Sequence, residues 1–171
     1  EDNPGLPEAE ANALAWQLAR DRLVGAIRTG RRHAFETTLG GRTITGLLLD
    51  AAKAGASVRV FYVGLATVEH HIARVKARVR RGGRDIPEER IRERYRTSRQ
   101  NLIRLLPHLE ELMVWDNSVE ADPAAGERPE PRLVLHLRAG EIVAACSPHQ
   151  VPDWAKPVVQ AAVEFAGSRR G

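Results

Sequence analysis

Two short apolar runs constrain the fold most. Residues 57–65, SVRVFYVGL, crowd Val58, Val60, Tyr62 and Val63 into a nearly continuous apolar stretch. Residues 112–117, LMVWDN, form a second such run and end in the polar Asp116, Asn117 and Ser118. Runs of this length with β-branched and aromatic side chains are strands, and near-continuous apolar character marks a strand covered on both faces. A strand of that kind needs helices around it, so the rest of the chain should supply them.

The helical segments are legible from their spacing. In 7–30, Ala9, Ala13, Leu14, Trp16, Leu18, Leu23, Val24 and Ile27 recur near a 3.6-residue period, and Gly30 can end the helix. Trp16 is expected to be a core or interface anchor. Residues 33–38, HAFETT, read as a short strand with a polar tail, stopped by Gly40 and Gly41. Residues 43–54 are helical, with Ile44, Leu47, Leu48 and Ala51 on one face and Gly55 as the stop. Thr67 is a natural N-cap for a helix through Arg80. Helix, strand, helix, strand, helix in this order predicts βαβ crossovers and a parallel sheet. Further on, 119–131 is acidic and rich in Pro, Ala and Gly, hence a surface loop. Residues 132–137 and 142–146 flank a tight turn at Ala139 and Gly140, which predicts an antiparallel hairpin. Residues 152–166 close the domain as a helix with Trp154, Val158, Ala162 and Phe165 at helical spacing, and 168–171 are expected to fray.

The stretch 75–101, VKARVRRGGRDIPEERIRERYRTSRQN, has a different character. Between Arg74 and Arg104 there are twelve Arg or Lys against four Asp or Glu, although the whole chain carries only +4. Gly82 and Gly83 break one helix, and Pro87 with Glu88 and Glu89 starts another. Two arginine-rich helices joined at a glycine hinge form a mobile cationic arm suited to phosphates, nucleic acid or another anion. A solvated helical face is the plain alternative.

Composition narrows the classes. The chain has 171 residues, 43% hydrophobic and 28% charged, which suits one domain of a soluble globular protein. No apolar run approaches a membrane span, and the acidic start EDNPGLPEAEANA lacks the basic and apolar regions of a signal peptide. With the single Cys146 no internal disulfide can form, so a cytoplasmic location is the default expectation. The eight aromatics form no stacking pattern beside the arginines, which disfavours nucleic acid. No G-x-x-x-x-G-K-[ST] or G-x-G-x-x-G sequence is present, and Lys53 reads as a helix-surface lysine. His70 and His71 are adjacent and point apart on a helix, while His33, His108, His136 and His149 have no ligand spacing, so no metal site is expected. Ser98, Ser118 and Cys146 sit outside any nucleophile-elbow context.

Taken together, AFETTLGGR (34–42), FYVGL (61–65), RVKARVRRGGRDIPEERIRERY (74–95), NLIRLL (101–106) and WDNS (115–118) resemble the zeta-toxin-like P-loop kinases, including those labelled predicted ABC-type ATPases. The resemblance covers about residues 8–146. It implies one α/β domain over 1–171: a P-loop kinase-like parallel sheet flanked by helices, with a C-terminal antiparallel hairpin and 75–101 as an arginine-rich helical lid. It further implies an ATP-dependent kinase, with Mg2+, phosphorylating a hydroxyl of a small molecule, a nucleotide sugar being the suggested acceptor class. Carried over residue by residue, Arg80 and Arg94 resemble the lid arginines that hold the ATP phosphates. Glu36 and Thr38, assisted by Arg42, resemble the group that contacts the acceptor. Asp116 and Asn117 lie where the nucleotide base pocket forms, and Arg84 takes the place of the lid's usual histidine. The strand, Walker A loop and general-base aspartate that open the family's fold have no counterpart in this sequence. The expectation is therefore either a piece of a longer kinase or a non-catalytic relative that binds an anion or a protein, such as the toxin half of a toxin–antitoxin pair.

Overall fold

The structure is a computed structural model that describes residues 7–119, 126 and 130–169. The expected loop over 119–131 lies mostly outside the described residues, as do the first six residues and the last two of the expected frayed tail.

Five helices and four strands follow one another along the chain: α1 (Glu8–Thr29), α2 (Arg42–Lys53), β1 (Arg59–Gly64), α3 (Val68–Arg80), α4 (Glu88–Leu105), β2 (Glu111–Asp116), β3 (Arg132–Arg138), β4 (Glu141–Ala145) and α5 (Lys156–Ser168). The ends obey local chemistry. Gly30 closes α1 in the left-handed conformation at φ 65°, and the Thr67 hydroxyl accepts the His70 N–H to cap α3. Pro87 precedes α4, with Glu88 and Glu89 in its first turn facing the positive end of the helix dipole.

The strands form one mixed sheet in the order β1-β2-β3-β4. β1 and β2 are parallel, with Arg59 opposite Glu111 and Gly64 opposite Asp116, and α3 and α4 make the crossover between them. β2–β3 and β3–β4 are antiparallel. Arg138 and Glu141 pair across the two-residue turn Ala139-Gly140, where φ is +50° and +82°, as such hairpin turns require.

The parallel core is the single pair β1–β2, and the expected antiparallel hairpin joins it in one mixed sheet. Three sequence expectations are corrected here. Residues 33–38 form no strand: they are exposed and irregular. Local bonds satisfy this segment instead, since the Leu39 N–H is bound by Thr37 Oγ1, His33 stacks on Phe35, and Leu39 sits at φ 52°. Such side-chain-to-backbone contacts compete with ladder pairing. Nor is β1 covered on both faces. Phe61 is 65% and Val63 54% exposed on the edge strand, while Val60 and Tyr62 pack inward. Trp16 is likewise no core anchor: it is 46% exposed, and the Arg20 guanidinium lies over its ring.

The core lies on the other sheet face. Leu112 and Val114 of β2 with Val134, Leu135 and Leu137 of β3 meet Leu102 and Leu105 of α4, Leu106 after it, and Val158 and Ala162 of α5. All are at most 1% exposed. Truncating one of these leucines to alanine should cost about 2–5 kcal/mol through lost burial and the cavity left behind. This packing fixes α4, and α4 carries most of the side chains that define the site.

Candidate phosphate site at the ends of the parallel strands

In open α/β sheets, ligands bind beyond the carboxyl ends of parallel strands. In this chain those ends are Gly64 and Asp116. The ladder continues one step further, because the Asn117 N–H donates to Gly64 O at 2.9 Å. Gly64 has to be glycine: a Cβ there would lie 2.4–2.6 Å from three ring carbons of Trp154. The buried Trp154 Nε1–H donates to Asp116 Oδ1 at 3.1 Å. The Ser118 hydroxyl bonds the same oxygen, and Arg132 lies 3.7 Å from Oδ2. Asp116 thus ties the strand end to β3 and to the segment before α5, and both its carboxylate oxygens are engaged. Asn117 differs: its Oδ1 is buried and has no partner.

Above these strand ends stand α3 and α4. Arg74 Nη2 donates to the carbonyls of Asn117 at 2.8 Å and Val119 at 3.3 Å. On α4, Tyr95 Oη–H donates to Ala66 O at 2.9 Å, the His71 ring meets Tyr95 edge-on at 5.5 Å, and the Arg99 guanidinium lies 4.0 Å from the Tyr95 ring centre. One Arg99 nitrogen also reaches Trp154 O at 3.4 Å. Burial, reinforced by the charges of Arg74, Arg99 and His70, pushes the His71 pKa below its ordinary value, so the ring is neutral at neutral pH. Beneath them, Tyr62 and Ser98 share a 2.8 Å hydrogen bond, and burial raises the Tyr62 pKa.

The segment expected to contact an acceptor is anchored to another flank of α4 through residues 39–41. Asn101 Nδ2 donates to Leu39 O at 2.8 Å and to Gly41 O at 3.4 Å, anchoring the irregular segment from inside. The Arg94 stem packs on Gly40, where a Cβ would come 2.8 Å from Arg94 Cγ. Arg94 therefore stands beside the stretch that holds Thr38 and Arg42. Glu36 and Thr38 are fully on the surface, and Arg42 is exposed as the first residue of α2.

The stretch expected to be a lid is a helical hairpin of α3 and α4 laced by ion pairs. Lys76 pairs with Glu88 at 2.6 Å and Arg92 with Glu69 at 3.0 Å, which sets α3 and α4 antiparallel. A cleft of about 160 Å³ lined by Ile72, Val75, Ile86, Pro87 and Ile91 lies between them. In that register Arg80 is at the tip and Arg94 near the base, separated along the hairpin by about 15 Å at 1.5 Å per residue. The two arginines expected to act together are thus held apart in this conformation. Arg84 turns toward α1, where it donates to Asn12 Oδ1, and its own carbonyl accepts from Arg78. It does not join Asp116 and Asn117.

Sequence reasoning missed Arg74 and Arg99, which it left among the general charge of the arm. Of the described residues, four arginines are half-buried: Arg20, Arg74, Arg94 and Arg99. Arg20 pairs with Asp21 at 2.7 Å, whereas the other three have no carboxylate among the described residues within ion-pair distance. Asn101, the anchor of 39–41, was likewise seen only as part of a helix. Among the described residues no three His, Cys, Asp or Glu side chains cluster as metal ligands would, and Asp116 is fully engaged. This donor set does not fit a magnesium ion; it fits an anion.

No family model matches the chain, and no solved structure matches it. It is similar to an uncharacterized protein of Haemophilus influenzae, 34% identical over 93 residues, which are 54% of this chain and 64% of that relative's length. No helix among the described residues is long and apolar enough to cross a membrane.

Proposed function

We propose that this chain is the phosphate-clamping part of an ATP-dependent kinase of the zeta-toxin-like kind, acting on a hydroxyl of a small molecule such as a nucleotide sugar. The observation that carries the reading is the set of half-buried arginines without carboxylate partners, gathered around α4 next to the carboxyl ends of the only parallel strand pair among the described residues. A desolvated guanidinium without a counter-ion is costly, and guanidinium geometry matches phosphate oxygens. In this reading Arg94 and Arg80 hold phosphate oxygens, with Arg80 arriving by movement of the hairpin, and Arg42 with Glu36 and Thr38 orients the acceptor. Asn117, with its unpartnered Oδ1, receives a donor of the nucleotide base; Asp116 shapes that pocket from beneath, and Arg84 steadies the lid tip. ATP and the acceptor are the partners, in the cytoplasm. Magnesium would have to be held by ATP and by groups other than the described residues.

The test is phosphoryl transfer from γ-labelled ATP by the full native protein, scored against nucleotide-sugar acceptors. Labelled acceptor that disappears on Arg94→Ala supports the reading. ATP neither bound nor consumed by that protein would sink it.

A second reading is a non-catalytic module that binds a protein, for instance an antitoxin. Phe61 and Val63 favour it. They lie on an edge strand beside the half-buried Met113 and Trp115, their register partners, and leave an apolar sheet face open. Tight binding of a co-encoded protein without ATP turnover would select this reading.

A further inference from the structure

We infer that Arg74 and Arg99 form an anion subsite of their own, which takes a phosphoryl or pyrophosphoryl group between α3 and α4 over the end of β2. It deepens the kinase reading, because it adds two phosphate ligands that the family pattern did not point to, but it can hold or fail separately.

The geometry is built from both helices. Arg74 is three residues from His71, so the two side chains share one face of α3. Arg99 is four residues from Tyr95, so these share one face of α4. His71 meets the edge of the Tyr95 ring and Arg99 its face. Tyr95 thereby joins the two helices, carrying Arg99 of α4 on its ring and meeting His71 of α3, which shares a helix face with Arg74. Among the described residues each guanidinium is held by neutral groups: Arg74 by the Asn117 and Val119 carbonyls, Arg99 by the Tyr95 ring and the Trp154 carbonyl.

These contacts orient the guanidiniums without cancelling their charge. The four carbonyl and ring contacts leave further N–H donors on each arginine, since a guanidinium carries five. A neutral His71 between them adds one ring N–H donor. Burial is the first cause of the lowered His71 pKa, the charges of Arg74 and Arg99 add to it, and an anion bound by the two arginines would offset their share. Ion pairs occupy the other residues that line the hairpin. Lys76, Glu88, Arg92 and Glu69 are mutually paired, and among the described residues no carboxylate lies within ion-pair distance of Arg74 or Arg99. The anion is expected to be small, because the Arg74 guanidinium already spans the turn after β2.

The experiment uses the chain described here, with inorganic pyrophosphate as the probe in a calorimetric titration. Histidine NMR of the same sample follows His71. Binding should weaken at least tenfold for Arg74→Gln and for Arg99→Met, while Arg104→Gln, an exposed arginine on the same helix, leaves it unchanged. Arg99→Lys, which keeps the stem and the charge, guards against a simple folding defect and should retain most of the binding. Pyrophosphate should also raise the His71 pKa in the wild-type protein and not in Arg74→Gln. Absence of binding, equal losses for all arginine variants, or tighter binding of an oligonucleotide with the His71 pKa unmoved would overturn the subsite. Dependence on Arg80 and Arg94 alone would overturn it while leaving the kinase reading intact. Pyrophosphate binding through Arg74 and Arg99 with no phosphoryl transfer in the full protein would do the reverse.

Discussion

The position that most directly tests how the strand ends are built is Gly64. A methyl group there would meet three carbons of the Trp154 ring at 2.4, 2.5 and 2.6 Å, well inside ordinary contact of about 3.5–4.0 Å. The ring cannot swing away cheaply, because it is 3% exposed and its Nε1–H is bound to the buried Asp116. Two costs combine in Gly64→Ala. Overpacking of a buried site costs about 1–3 kcal/mol. Displacing the indole leaves Asp116 short of a donor, about 1–3 kcal/mol more. The expected destabilisation is therefore about 2–6 kcal/mol. Chemical denaturation monitored by tryptophan fluorescence reads it. A double-mutant cycle with Trp154→Leu isolates the clash: the pair should cost at least about 1 kcal/mol less than the sum of the singles, since removing the ring makes room for the methyl. Strict additivity, or a Gly64→Ala loss below about 0.5 kcal/mol, would refute the close approach.

Other outcomes follow from the same contacts. Asn101→Ala should cost about 1–3 kcal/mol by leaving the Leu39 carbonyl without its donor, and hydrogen exchange at 38–42 should rise; unchanged exchange there would argue against the anchor. Ala139→Asn should stabilise the protein by a few tenths of a kcal/mol to about 1 kcal/mol, because Ala139 sits at φ 50° and asparagine tolerates that region better; thermal melts check this. On acidification two groups act in one direction. The folded pKa of His71 is lower than its unfolded value near 6.5, so the unfolded chain takes up the proton first and stability falls as pH drops below about 6.5. Glu111, held down by its hydrogen bond to His136, adds a loss at lower pH as its carboxylate is protonated. His71→Phe should flatten the upper part of that profile.

Much of the scaffold was legible because its signals are local. Thr67, Pro87 and Gly30 mark helix ends through their own backbone chemistry, and Ala139-Gly140 marks a hairpin turn. The parallel pairing of β1 with β2 follows from the long crossover between two apolar runs. What failed was non-local. HAFETT has strand composition, but a strand also needs a neighbour, and 33–38 pair with none of the described strands. The apolar run in β1 predicted cover on both faces, yet nothing among the described residues covers Phe61 and Val63.

The candidate site was legible in class but only in part by residue. Arginine density located the arm, and arginine count cannot say which members are desolvated. Arg90, Arg92 and Arg96 face solvent while Arg94 and Arg99 do not, a difference set by packing against 39–41 and Tyr95 rather than by spacing alone. Arg80 and Arg94 looked equivalent in sequence, and the antiparallel register of the hairpin separates them.

The central claim is that phosphate binds where the parallel strands end, between α3 and α4. The most direct measurement is a backbone NMR titration of the 15N-labelled chain with ATP. The account predicts shifts concentrated at 64–67, 71–74, 94–99 and 117–119, with Arg99→Met abolishing the set at 94–99. Shifts confined to the exposed sheet face around Phe61, Val63 and Met113, or none at millimolar ATP, would contradict it.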